Sequence, residues 1–205
     1  MELKQAIADL RKQEKRKFEQ SFDLLISLKG IDAKKDNITA VVDVPNKIKD
    51  KKICGFLTKR SEVVKSVTNL DFPKYKDKKA LKNLVKEFDF FIAAAPLMPS
   101  VATTFGKVLG PAGKMPSPQL GILPVEDEKA ITALVNRISK SMKVRVKEAA
   151  VKVSVGKESM DDAKLIENIQ AIYNGVINVL PVKKDNVRKV MLKLTMSKPI
   201  QVEMK

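Results

Sequence analysis

The residues with the most chemical potential in this 205-residue chain lie in one stretch, Gly106-Lys107-Val108-Leu109-Gly110-Pro111-Ala112-Gly113-Lys114-Met115-Pro116-Ser117-Pro118. Glycine beside lysine is the chemistry of a phosphate-cradling loop, in which backbone N–H groups approach the anion and a lysine neutralises it. The spacing does not fit. Such a loop needs Gly five residues before Gly113 and Ser or Thr after the lysine. Val108 and Met115 stand at those positions, and the preceding stretch has helical rather than strand character. As a purely structural element the segment is a stiff surface loop, its glycines permitting positive φ and its prolines fixing φ. Lys107 and Lys114 nevertheless sit on backbone that can come close to a phosphate.

Other catalytic arrangements fail on composition. There is no His, which removes Ser-His-Asp and Cys-His chemistry, and the single Cys cannot build a zinc site. The acidic run Glu126-Asp127-Glu128 can be drawn as paired catalytic carboxylates, but it suits the first turn of a helix better. The expectation is a protein without catalytic residues, metal or cofactor. The charge points elsewhere: 40 Lys+Arg against 24 Asp+Glu give a net +16. A surplus of that size favours a polyanion, because cations that neutralise phosphates release condensed counterions. The competing explanation is a basic surface kept for solubility. A lone Cys suits a reducing compartment. Met1 to Phe18 has no apolar core of a signal peptide, and no apolar run reaches the ~20 residues of a membrane helix. The expected setting is therefore cytoplasmic, with no membrane.

These residues must be positioned by elements that the hydrophobic pattern outlines. Residues 2–17 have helical spacing through Leu3, Ile7 and Leu10. Strands are expected over 22–28 and 38–44, joined as a hairpin with a long polar loop. Residues 53–58 and 89–95 are apolar runs typical of buried parallel strands. Helices are expected from Ser61 through Val67, over 80–88, from Pro99 through Val108 and over 126–141. Residues 143–155 alternate as a strand leading into another sheet, which Gly156 ends. A helix follows over 161–180, and the last strand spans 190–196, limited by Pro199. The outer segments pair into a four-stranded antiparallel sheet backed by helices, and the middle forms a layered α/β domain with a parallel sheet. The expected fold class is α/β and α+β in two domains: a discontinuous outer domain of residues 1–51 and 148–205, and an inserted domain of residues 52–147. Two chain crossings at one boundary permit a hinge. On these boundaries the middle segment carries +10 and each outer segment +3.

The Gly/Pro stretch resembles the Gly-x-x-Leu-Gly-Pro-x-Gly-x-Met-Pro-x-Pro signature of the ribosomal protein L1 family of the large subunit. The resemblance covers nearly the whole chain. It includes Lys17-Phe18, Ser21-Phe22-Asp23 and Ile31 to Lys35 near the start, and Phe88 to Ala93 with Leu97-Met98-Pro99 in the middle. Val155-Gly156-Lys157, Glu167-Asn168-Ile169 and Leu194-Thr195-Met196 extend it to the C-terminal part. The residue choices are similar to the archaeal and eukaryotic branch.

The resemblance implies that the inserted domain is a Rossmann-like three-layer α/β unit without a nucleotide, and that the outer domain holds rRNA of the mobile stalk. It implies RNA contacts at Lys17, Phe18, Thr195 and Met196. At the next position, where the family has Gly, this chain has Ser197; either the turn differs, or it carries strain of about 1 kcal/mol. Lys34, Lys35 and Lys157 are further phosphate candidates, and Gly110, Pro111, Gly113, Lys114, Met115 and Pro116 form the signature loop of the inserted domain. Family membership also implies contact with exit-site tRNA, which assists its release, repression by binding the chain's own mRNA, and a monomer away from the ribosome. The charge count adds secondary RNA contacts from the middle domain. The rival readings are a small nucleotide-dependent α/β enzyme and a generic nucleic-acid binder.

Overall fold

The computed structural model describes residues 1–13, 16–31, 38–75, 77–118, 120–146 and 148–204. The chain divides into two compact units, Met1–Lys49 with Lys140–Lys205, and Asp50–Ser139. Among the described residues no helix is long and apolar enough to cross a membrane.

The outer unit contains α1 (Leu3–Arg11), β1 (Ser21–Leu28), β2 (Thr39–Asp43), β7 (Ser141–Arg145), β8 (Ala150–Lys157), α5 (Asp162–Val179), β9 (Val187–Leu194) and β10 (Ile200–Val202). Its main sheet is antiparallel with strand order β10-β9-β1-β8. Strict alternation drives β1: Phe22, Leu24, Ile26 and Leu28 point into the core, and the residues between them stay half-exposed. α1 adds Ala6, Ile7 and Leu10 to that core, and α5 adds Leu165, Ile169, Ile172 and Val176 at helical spacing.

Several expectations need correction here. β1 does not form a hairpin with β2. Both edges of β1 are taken, by β8 and β9, so β2 pairs with β7 in a separate two-stranded sheet. That ribbon lies on α5 with Ala40 and Val42 turned inward, and the approach is close. A Cβ on Gly175 would stand 2.6 Å from the Val42 methyl carbons. Residues 143–155 are two strands rather than one, and Gly156 lies inside β8 instead of ending it. The chain also resumes a strand after Pro199, as β10 on the edge beside β9. Finally, β7 belongs with the outer unit, so the second boundary falls before it and not after Lys147.

The inserted unit contains β3 (Ile53–Phe56), β4 (Lys65–Val67), α2 (Lys78–Glu87), β5 (Phe90–Ala94), α3 (Met98–Ala112), β6 (Ile122–Leu123) and α4 (Glu128–Lys140, its last residue at the boundary). Its sheet is parallel, with order β4-β3-β5-β6. β5 is buried on both faces, as its apolar run requires. Phe91 and Ala93 pack with α2, α3 and the rings of Phe56, Phe72 and Phe105. The helix expected from Ser61 does not form. The Ser61 hydroxyl accepts from the Val63 N–H at 3.2 Å in a turn, and Lys65 to Val67 become the edge strand β4. The β-branched Val67 suits that strand better than a helix.

Candidate nucleic-acid interface

The register of the outer sheet brings one end of three strands together. Ser21 at the start of β1 faces Lys157 at the end of β8, and Phe22 faces Leu194 at the end of β9. The segment Lys17 to Gln20 and the turn Thr195 to Ser197 therefore share one rim. Phe18 and Met196 stand out on it: they are 52% and 64% exposed although Phe and Met are ordinarily buried.

The polar groups between them are fixed by the protein itself. Gln20 is 3% exposed, and its Oε1 accepts from the Met196 N–H at 3.2 Å. The Thr195 hydroxyl accepts from the Ser21 N–H at 3.1 Å and points its hydrogen at the Ser21 carbonyl, 3.3 Å away. The hydroxyl thereby clamps the turn to β1. Ser197 is likewise internal. The backbone closes a turn from Ser197 N–H to the Leu194 carbonyl at 3.0 Å, and the Ser197 Oγ accepts from the Leu194 N–H at 2.7 Å. Ser197 is not at positive φ; among described non-glycine residues only Lys183 is. The turn here thus replaces the family's glycine by a side-chain closure without strain.

Lys157 is an ion-pair partner, its Nζ 2.9 Å from Glu19 Oε2. The Ser159 hydroxyl first, and then Lys157, hold the exposed Glu19 carboxyl below the usual range. These bonds tie residues 19–20 to the end of β8, and the Gln20 N–H and carbonyl both bond Glu158. Lys17 is exposed at the same rim. Lys34 and Lys35 lie outside the described residues.

Sequence reasoning missed the supports of this rim. Gln20 continues the inward phase of β1, two residues before Phe22, so a polar residue at an inward position was the available signal. Arg11 gave no such signal. Its guanidinium donates to the carbonyls of Glu158 and Met160, pairs with Asp162 at 2.8 Å, and lies 5.7 Å from the Phe22 ring centroid. One cation thus locks the loop between β8 and α5 under the rim.

The signature loop of the inserted unit is structural. Gly110 and Pro111 belong to α3, whose end is set by Gly113 at φ 70°. Lys114 follows, and its Nζ donates to the Val85 and Phe88 carbonyls, each at 2.7 Å. The ammonium thereby caps the C-terminus of α2, which commits two of its three N–H groups inside the protein. Met115 packs on the core and Pro116 is buried. At the end of β3, beside the point where the strand order reverses and doubly wound folds take ligands, the chain places its own anion. Glu126 accepts the Thr58 N–H at 3.0 Å and the Thr58 hydroxyl as well. The lone Cys54 is fully buried, which pushes its thiol up to about 12 and leaves no thiolate nucleophile.

The boundary of the units changes the charge argument. With residues 140–147 in the outer unit, that unit has 25 Lys+Arg against 15 Asp+Glu, a net +10, and the inserted unit has 15 against 9, a net +6. The greater positive charge lies with the unit that bears the rim and not, as the sequence boundaries suggested, with the middle of the chain.

Comparison with known proteins gives the family. The model of the ribosomal protein L1p/L10e family matches residues 10–198. The large ribosomal subunit protein uL1 of Thermoplasma volcanium is 37% identical over 198 residues, covering 91% of this chain and 88% of the relative. Its counterpart in Methanothermococcus thermolithotrophicus is 37% identical, covering 92% and 91%. That of Thermoplasma acidophilum is 34% identical, covering 98% and 96%. A chain that the family model matches over residues 10–198, and that such relatives match along nearly its whole length, belongs to the ribosomal protein L1p/L10e family and is a ribosomal protein rather than an enzyme.

Proposed function

We propose that this chain is a constituent of the large ribosomal subunit, in the cytoplasm, that binds folded stalk rRNA through the rim around Phe18 and Met196. The observation that carries the reading is the pairing of two exposed apolar side chains with polar neighbours already satisfied inside the protein. Such a rim is pre-organised, so little order is lost on binding. Folded RNA is recognised by shape, ribose hydroxyls and unstacked bases. Phe18 supplies a ring for an unstacked base or a ribose, Met196 an adaptable apolar contact, and Lys17 a phosphate partner. The clamped turn keeps Met196 in register with Phe18. The inserted unit, at +6, adds weaker phosphate contacts.

Base stacking on an aromatic side chain contributes ~1–3 kcal/mol. Phe18→Ala should therefore weaken binding to the stalk rRNA fragment by roughly 5- to 150-fold, and Met196→Ala in the same direction by less. Because both side chains are exposed, neither change should lower the thermal midpoint. Unchanged affinity in both variants would remove the rim from the RNA site. Family membership extends the proposal to contact with exit-site tRNA, assisting its release, and to repression through an mRNA structure that mimics the rRNA site. The second requires that the mRNA leader and the stalk fragment compete for one surface. A leader that binds alongside saturating stalk fragment would exclude it.

A further inference from the structure

We propose that the outer unit carries a second RNA-backbone site, formed by Lys29, Lys183, Lys184, Arg188 and Lys189 at the end of its sheet opposite the Phe18–Met196 rim. The inference rests on the ribosomal reading for the identity of the polyanion. β1 runs between the two ends, and eight residues at ~3.3 Å each separate them by about 25 Å. Both ends are therefore held at a fixed spacing by one strand.

One buried amide joins the end of β1 that bears Lys29 to the turn that bears Lys183 and Lys184; Arg188 and Lys189 follow at the start of β9, one on each face of the strand. Ser27 faces Lys189 and Leu28 faces Val187 across the ladder. The Lys29 N–H donates to the Asn186 carbonyl at 2.8 Å, and Asn186 Nδ2 donates to the Lys29 carbonyl at 3.0 Å. Asn186 Oδ1 accepts from the Val182 N–H at 2.7 Å, which ties in the turn that bears Lys183 and Lys184. Asn186 is 4% exposed, and all five cations at this end of the sheet are exposed. None of the five forms an ion pair with a described residue, whereas Arg11, Lys152, Lys157 and Lys164 all do. The turn contains one acid, Asp185.

Lys183 adds a backbone observation. It sits at φ 49°, a conformation that glycine would adopt without strain. The cation occupies that position regardless. No aromatic side chain belongs to the cluster, so it does not stack bases. Its chemistry fits the phosphates of an RNA duplex, and an open groove of about 760 Å³ beside it is bordered by Asn174 and Asn178 on α5. The competing explanation is that Lys183 and Lys184 only serve the C-terminus of α5, whose last turn has no basic residue.

The full chain is first saturated with the stalk rRNA fragment, and a labelled RNA duplex of ~16 base pairs and unrelated sequence is then titrated in. A ternary complex is expected. The triple variant Lys183→Gln, Lys184→Gln, Arg188→Gln should weaken duplex binding at least ~10-fold and flatten its salt slope by about 2–3, with affinity for the stalk fragment changed less than ~2-fold. Lys183→Gly should weaken duplex binding without lowering the thermal midpoint. Absence of the ternary complex, an unchanged triple variant, or a Lys183→Gly chain that melts lower and binds duplex as before would overturn the site. If the stalk fragment itself does not bind, the ribosomal reading fails, and the duplex titration on the free chain still decides this one.

Discussion

At the residue scale the rim is distinguished by what its polar side chains do not offer. Gln20, Thr195 and Ser197 use their groups inward, and the outward surface is left to Phe18, Met196 and Lys17. Ser197 illustrates how a departure from a family pattern is absorbed. Its Oγ closes the turn on Leu194, so Ser197→Gly should lower stability by about 1 kcal/mol instead of relieving strain. A rise in the unfolding free energy of that variant, measured by urea titration, would contradict the turn described here. Asp71 gives a pH test in the inserted unit. Lys74 first, and the Thr68 hydroxyl second, hold its carboxyl at about 2 against an ordinary 3.8. Because the folded value is depressed, the stabilisation is complete above pH ~3.8 and disappears as pH falls through ~2. The thermal midpoint of wild type should exceed that of Asp71→Asn above this window and converge on it below. A difference that is constant with pH would exclude the assignment. How far the residue scale was legible depended on context. Phe18 and Met196 look like core residues by type, and only the family pattern distinguished them. Gln20 was hidden because a single polar residue before a strand has many ordinary uses.

At the element scale, helices and strands with strong periodicity were legible, and strand partners were not. α5 and β1 follow directly from their spacing, because burial on one face requires it. The pairing of β2 with β7 joins residues a hundred positions apart, and alternation alone cannot say which alternating segment lies beside which. The same limit displaced the domain boundary. Two element-level predictions follow from close contacts. Gly175→Ala should destabilise the chain by about 1–3 kcal/mol, because its Cβ would enter the Val42 methyls. Val42→Ala should cost less in the Gly175→Ala background than in wild type, and independent costs would show that the β2–β7 ribbon does not press on α5 there. Lys114→Met should cost about 1–3 kcal/mol by removing the cap on α2 and leave rRNA affinity unchanged. A loss of affinity without a loss of stability would make Lys114 an RNA-contacting residue instead. The Gly/Pro signature was thus legible as a landmark but not in its role, since sequence cannot show that the lysine after Gly113 turns back onto a helix end.

At the scale of the whole molecule, charge and shape make separate contributions to binding. The net +16 guarantees some affinity for any polyanion and a steep dependence on salt. In the proposed function selectivity comes from the rim, where an arrangement of two apolar side chains and a turn would match one RNA surface. The central claim is therefore tested most directly by titrating the full chain with the large-subunit stalk rRNA fragment and with a scrambled RNA of equal length, over a range of salt. A shaped site predicts a preference on the order of 10³ or more that survives physiological salt. Equal affinity for the two RNAs, falling together as salt rises, would mean that charge alone binds them and would contradict the account.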